Sequence, residues 1–136
     1  MTRVSFALAS FAIVCTGVLW IAAGWVVPGL YGESYAAAVP AFRILMLSFP
    51  LLSLNYVLTH QLIGWKGERF YAAICAAALI VNIALNARLV PAWSIVGSAW
   101  ATLGTEMFLT ISCLTALRLL IGRRTTRTQQ PASAAL

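Results

Sequence analysis

Apolar residues in this chain come in four long, nearly unbroken runs, at about residues 4–27, 41–63, 70–87 and 95–117. Each is close to the ~20 residues that a helix needs to cross the hydrocarbon core of a bilayer. The polar positions fall between the runs. Pro28-Gly29 closes the first, and residues 30–39 form a short loop with Tyr31, Gly32, Glu33 and Tyr35. Gly64-Trp65-Lys66-Gly67-Glu68-Arg69 reads as a compact turn, and Arg88 with Pro91 breaks the third run from the fourth. Barrel strands alternate apolar and polar positions, which these continuous runs do not. Backbone in lipid must satisfy its own hydrogen bonds, so helices follow. The pattern predicts an all-α membrane bundle of four spanning helices over residues 1–122. A disordered tail is expected over 123–136, rich in Thr, Gln, Ser, Ala and Pro.

Composition strengthens this reading. Of 136 residues, 62% are hydrophobic and 9% charged, with mean hydropathy +0.91. A soluble domain carries about 25% charged residues, and this chain has too little polar surface to cover a globule in water. The first run is longer than the roughly 7–15 apolar residues of a cleaved leader, so it is expected to remain as a span.

The net charge of +6 would point to nucleic acid in a soluble protein, but here the charges cluster at the ends of the runs. No nucleic-acid module is recognisable and no such partner is expected. With four spans, Arg3, Lys66, Arg69, Arg118, Arg123, Arg124 and Arg127 fall on one side, against Arg88 and Arg43 on the other. The positive-inside rule puts the richer side, with both termini, in the cytoplasm, as a multi-pass membrane protein. Trp25, Tyr31, Tyr35 and Trp93 then fall at the outer interface, and Trp65 and Tyr71 at the inner one. Membrane lipids are the first expected partners.

Cys15, Cys75 and Cys113 lie inside apolar runs, with the spacing of neither a zinc site nor a redox pair. His60 is a lone histidine, and one ligand does not make a metal site. No glycine-rich phosphate loop, Ser-His-Asp set or catalytic carboxylate pair can be assembled. No enzyme activity, cofactor or metal is expected.

The remaining chemistry is polar side chains inside the spans. Arg43 stands about one turn into the second run. Either its stem snorkels toward headgroups, or its head faces a cavity and meets phosphate or acidic sugar. At 100° per residue Arg43, Pro50, Leu54 and Gln61 share a face, flanked by Ser53 and His60, which suggests a protein-facing side. Asn55 points well away unless a bend at Pro50 re-aims it. Glu106 is the costly residue. It sits mid-span, where a carboxylate facing lipid costs several kcal/mol. Ser98, Thr102, Glu106 and Thr110 follow at spacing four, so hydroxyls at a helix interface, protonation, or an ion-coupling role are the alternatives. Arg43, Asn55, Gln61 and Glu106 are the candidate pathway residues. Asn82, Asn86 and Thr102 are candidate polar packing residues, and Gly97, Ala101 and Gly104 offer a close-approach face.

The order "LYGESYAAAVPAFRILMLSFPLLSLNYVLTHQLIGWKGER", then "VNIALNARLVPAWSIVGSAWATLGTE", resembles the C-terminal part of the polysaccharide biosynthesis flippases. These belong to the superfamily of multidrug, oligosaccharidyl-lipid and polysaccharide exporters. The likeness rests on Leu30-Tyr31-Gly32, Tyr35, Arg43-Ile44-Leu45, Pro50-Leu51-Leu52 with Asn55, and Gly67 with Arg69. It continues through Asn82, Leu85-Asn86, Val90-Pro91, Gly97, Ala101-Thr102 and Glu106, and spans about residues 1–120. The resemblance implies a translocator of undecaprenyl-linked glycan units in a bacterial inner (plasma) membrane, working by alternating access between two lobes around a cationic cavity, with Arg43 in its lining or at its outer mouth. Only the last four spans of such a protein are matched. The chain is therefore expected to insert but not to flip lipid alone, its partners being the missing N-terminal helices or a second copy. Two alternatives stand beside this reading. One is a small four-helix multidrug transporter acting as a homodimer, although such proteins carry a glutamate in their first helix and this chain does not. The other is a non-transporting membrane subunit.

Overall fold

The structure, a computed structural model, describes residues 2–128 and is all-helical. Helix α1 spans Thr2–Tyr31, a six-residue 3-10 segment spans Glu33–Ala38, α2 spans Val39–Gly64 and α3 spans Glu68–Thr128. All three α-helices are long and apolar enough to cross a membrane. Their outer faces suit a hydrocarbon solvent, with Trp25 87% and Ile21 78% exposed.

Proline does not end the helices where the sequence pattern places their ends. Pro28 lies inside α1, which stops at Tyr31. Gly32 then takes φ +94° and returns its N–H to the Pro28 carbonyl at 2.7 Å. This is the C-terminal cap for which glycine is suited, because a side chain resists positive φ. The expected loop at 30–39 is thus the last turn of α1 followed by the 3-10 segment. Inside α2, Pro50 has no N–H to give the Met46 carbonyl. Thr16 of α1 supplies the missing donor, Oγ1 to Met46 O at 3.1 Å. A carbonyl bare in hydrocarbon costs several kcal/mol, so this bond both satisfies α2 and fastens α1 to it.

The face of α2 turned to α3 repeats every seven residues. Ala41, Ser48, Asn55 and Leu62 are buried, with Leu58 beside them. A heptad seam of small and apolar residues lets two helices pack along a shallow left-handed crossing. Ser48 satisfies itself on Leu45 O at 2.6 Å. The face of Arg43, Pro50, Leu54 and Gln61 is a different one. Leu54 is exposed there and Arg43 turns to α1. Asn55 points away from that face, as expected, and it is the Asn55 seam rather than the Arg43 face that packs against α3.

Four helices were expected and three are found, because the third and fourth runs are two arms of α3. Within this 61-residue helix only Ser94 leaves helical dihedrals, at φ 49°, ψ −127°. A straight helix would separate Asn82 from Thr105 by about 35 Å, yet Asn82 Nδ2 donates to Thr105 Oγ1 at 3.1 Å. The chain therefore reverses at Ser94, and arms 68–93 and 95–128 run antiparallel. A ψ near −120° at positive φ is the first central position of a type II′ turn, which reverses a chain within very few residues. The reversal stands three residues beyond Pro91, the expected breaker. Gly97 makes room for it, since a Cβ there would collide with the backbone carbonyl of Leu89.

The other end is closed by the turn between α2 and α3. Lys66 adopts φ 60°, Gly67 N donates to Leu62 O at 2.9 Å and Lys66 N to Ile63 O at 2.8 Å. This is a Schellman cap, which satisfies the last carbonyls of α2. Gly67 is buried, and a Cβ there would lie 2.7 Å from Leu62 O. Leu58, Leu62, Cys113 and Leu117 form the core at this end, with Trp65, Tyr71, Ile74 and Leu120 around them. The second arm runs past its expected end at Leu117 to Thr128. The rest of the expected tail, residues 129–136, lies outside the described residues.

Candidate functional site: the carboxylate between α2 and α3

Asn55 on the buried seam of α2 meets Glu106 on the second arm of α3. Asn55 Nδ2 donates to Glu106 Oε2 at 2.7 Å and lies 3.2 Å from the Glu106 carbonyl. The other end of the amide is held too, since Thr110 Oγ1 donates to Asn55 Oδ1 at 2.9 Å. Thr110 Oγ1 also lies 2.8 Å from Glu106 O, one turn back on its own helix. A primary amide has donors at one end and an acceptor at the other, and both ends are used here. The carboxylate is therefore held at Oε2 by an amide that a second helix fixes in place. Glu106 Oε1 receives no hydrogen bond among the described residues.

A cavity of about 310 Å³ adjoins this cluster. Leu52, Asn55, Tyr56, Thr59 and His60 line it from α2, and Tyr71, Glu106, Leu109 and Cys113 from α3. His60 and Tyr56 pack edge to face with ring centres 4.4 Å apart. Both are exposed on the flank of the bundle. The lining runs from the level of Glu106 toward the Trp65–Gly67 turn, and Tyr71 stands one turn into α3.

The second polar cluster joins the two arms of α3. Besides the bond to Thr105, Asn82 accepts from Asn86 Nδ2 at its carbonyl (2.9 Å) and at Oδ1 (3.2 Å). Thr105 in turn bonds Ala101 O at 2.8 Å. Leu85 packs where Gly104 leaves space, 3.2 Å from the position of a Cβ. This is interhelical packing through small residues and amides. Thr102 takes no part in it, because its hydroxyl returns to Ser98 O on the same arm at 3.0 Å.

Arg43 stands apart from both clusters. Its Nε reaches Trp20 O at 3.3 Å, and its Cζ lies 5.1 Å from the centre of the Trp20 ring. Its guanidinium also passes Gly24. These residues lie about two to three turns below the end of α1 at Tyr31. The head thus lies along α1 rather than reaching for the end of the bundle, and a cation over an indole face is favourable where water is scarce. Gln61 is half-buried and does not line the cavity. Of the four candidate pathway residues, then, the fold brings Asn55 and Glu106 together and leaves Arg43 and Gln61 elsewhere.

Thr105 and the role of Thr16 were not anticipated. Thr105 was legible in principle, for Gly97, Ala101 and Thr105 continue the small-residue face at spacing four. Thr16 carried no local signal, since its partner is defined by a proline thirty-four residues away. Comparison of the chain with protein-family models, with curated proteins and with solved structures finds no match.

Proposed function

We propose that this chain is part of a membrane translocator of lipid-linked oligosaccharide or polysaccharide precursors, with α1, α2 and the two arms of α3 as four crossings of a bacterial inner membrane. Both termini face the cytoplasm. The charge asymmetry of the ends supports that orientation, for Lys66 and Arg69 stand at the α2–α3 turn and Arg118 near the same end of the second arm.

One observation carries the reading. Several of the residues on which the resemblance to the flippases rests make contacts between helices. Asn55 and Glu106 join α2 to α3, and Asn82 with Asn86 serves the pairing of the arms. Gly97 and Gly67 occupy the two close backbone approaches. These amide, carboxyl and glycine positions are ones a helical bundle requires, while Leu30, Tyr31, Tyr35, Leu52 and Val90 of the same pattern lie on its exposed faces. The glycan itself is inferred from the resemblance alone.

The chain is a portion of one lobe, and alternating access needs two lobes around a central site. The test is reconstitution of the 136-residue chain in liposomes with a fluorescent undecaprenyl-linked oligosaccharide. Binding above that of a control phospholipid, without movement between leaflets, is the expected result. Movement by this chain alone would overturn the partial-lobe reading, and absence of preferential binding would overturn the glycan reading. Export of organic cations by a dimer would establish the small multidrug transporter instead.

A further inference from the structure

We infer that Glu106 Oε1 is a proton-binding site, reached through the α2–α3 cavity past Tyr56, Thr59 and His60. The inference stands on the cavity and the Asn55 contact, and does not depend on the glycan reading.

Three features of the site lead to it. Glu106 is the one acidic side chain within the long apolar runs, the other two, Glu33 and Glu68, being exposed at helix ends. A carboxyl in hydrocarbon is tolerated when it is neutral or paired. Among the described residues no Lys or Arg lines its cavity, and Arg43 is engaged on Trp20. A proton is then the simplest species that neutralises it.

The hydrogen bonds separate a proton from an alkali metal ion. Such an ion needs several oxygen ligands converging on one point. Here Asn55 turns its NH₂ toward Glu106 and spends its carbonyl oxygen on Thr110, so the group nearest the carboxylate is a donor that would repel a cation. A proton on Oε1 needs no such cage. Asn55 continues to donate to Oε2 in either protonation state, which holds the carboxyl in place while its charge changes.

The cavity supplies the route. Tyr56, Thr59 and His60 lie within about one and a half turns of Asn55 on α2, and Tyr71 faces them from α3. Hydroxyl and imidazole groups donate and accept, so with water between them they pass protons along. The titratable groups around Glu106 are Tyr56 and His60 from α2 and Tyr71 and Cys113 from α3, while α1 contributes none to the lining. Lys66, Glu68 and Arg69 are exposed at the α2–α3 turn and do not line the cavity.

The experiment needs no transport. The purified chain in lipid nanodiscs is treated with dicyclohexylcarbodiimide, an apolar reagent that modifies protonated carboxyls, and the modified peptides are mapped by mass spectrometry. The site requires modification at Glu106 that rises as pH falls and is lost in Glu106→Gln. Infrared spectroscopy of the same sample reads the carbonyl stretch of the protonated acid directly, which keeps the test valid if the reagent is excluded. A band that titrates with pH and vanishes in Glu106→Gln supports the site, and a carboxylate signal unchanged across the acid range overturns it. Protection from the reagent by sodium ions at constant pH would also overturn it, in favour of a metal-ion site. For the route, Thr59→Phe fills the cavity midway, and the infrared response to a pH jump should slow while its amplitude remains. An unchanged rate would overturn the path while leaving the far-UV helical signal as the control for folding.

Discussion

Replacing Thr16 with valine keeps the shape of the side chain and removes one hydroxyl. In most helices the change would cost little, because a threonine hydroxyl usually returns to its own helix. Here it bonds a carbonyl of another helix, Met46 O at 3.1 Å, and Thr16 is only 8% exposed. The carbonyl has no other intrahelical donor because position 50 is proline. Loss of a partner that leaves a buried group unsatisfied costs about 1–3 kcal/mol. Side-chain hydrogen bonds between membrane helices average about 0.6 kcal/mol and reach about 1.7. The lack of any competing partner places this bond in the upper part of that range, so about 1–1.5 kcal/mol is expected for Thr16→Val. The decisive measurement is a double-mutant cycle with Pro50→Ala. An alanine at 50 restores an N–H that bonds Met46 O within α2, so the hydroxyl of Thr16 becomes redundant. Thr16→Val should then cost no more than a few tenths of a kcal/mol, and the cycle should return a coupling of about 1 kcal/mol. Reversible unfolding in mixed micelles by titration with dodecyl sulfate, followed by far-UV circular dichroism, supplies the four free energies. Equal costs of Thr16→Val in the proline and alanine backgrounds would refute the idea that one helix repairs the backbone of the other.

Three further outcomes follow from the backbone and the clusters. Ser94→Gly should stabilise the fold by about 1 kcal/mol, because Ser94 holds φ at 49°, where a side chain is strained and glycine is not; the same unfolding titration reads it. Gly97→Ala should do the opposite by more than about 2 kcal/mol and loosen the pairing of the arms, since its Cβ would overlap the Leu89 carbonyl. Spin labels placed on the two arms of α3 would report the change as a broadened distance distribution. Asn55→Ala should cost about 1–3 kcal/mol by leaving the Glu106 carboxylate without its amide partner. It should cost more than Asn82→Ala, which removes the bond to Thr105 and a long one from Asn86, whose amide keeps the Asn82 backbone carbonyl.

Much of this architecture was legible in the run of apolar residues, because length and continuity are what the bilayer demands. The compact turn at residues 64–69 and the close-approach role of Gly97 were legible too, each from residue types with a specific conformational use. Proline misled at both 28 and 91. In water a helix interrupted by proline exposes its carbonyls to solvent at little cost, but in hydrocarbon it does better to continue and find a donor. Ser94, where the chain does turn, has no composition that marks it. The site was half legible. Glu106 announced itself by cost, but Asn55 was judged by the phase of Arg43 rather than by its own seven-residue register with Ala41, Ser48 and Leu62. Arg43 drew attention as a charge, and a partner on α1 could not be found from α2 alone.

The single-residue joint at Ser94 bears on how such a bundle can move. Two rods joined through one residue, with their first turns in backbone contact at Gly97 and Leu89, have no slack by which one could slide or tilt against the other. The joint at the opposite end is pinned as well, by Gly67 against Leu62 and Leu120. Helix α2 and both arms of α3 therefore behave as one stiff blade. Helix α1 is joined to that blade by the Thr16 and Arg43 contacts and by the segment Gly32–Ala38, so a swing of α1 about that segment would have to break both contacts.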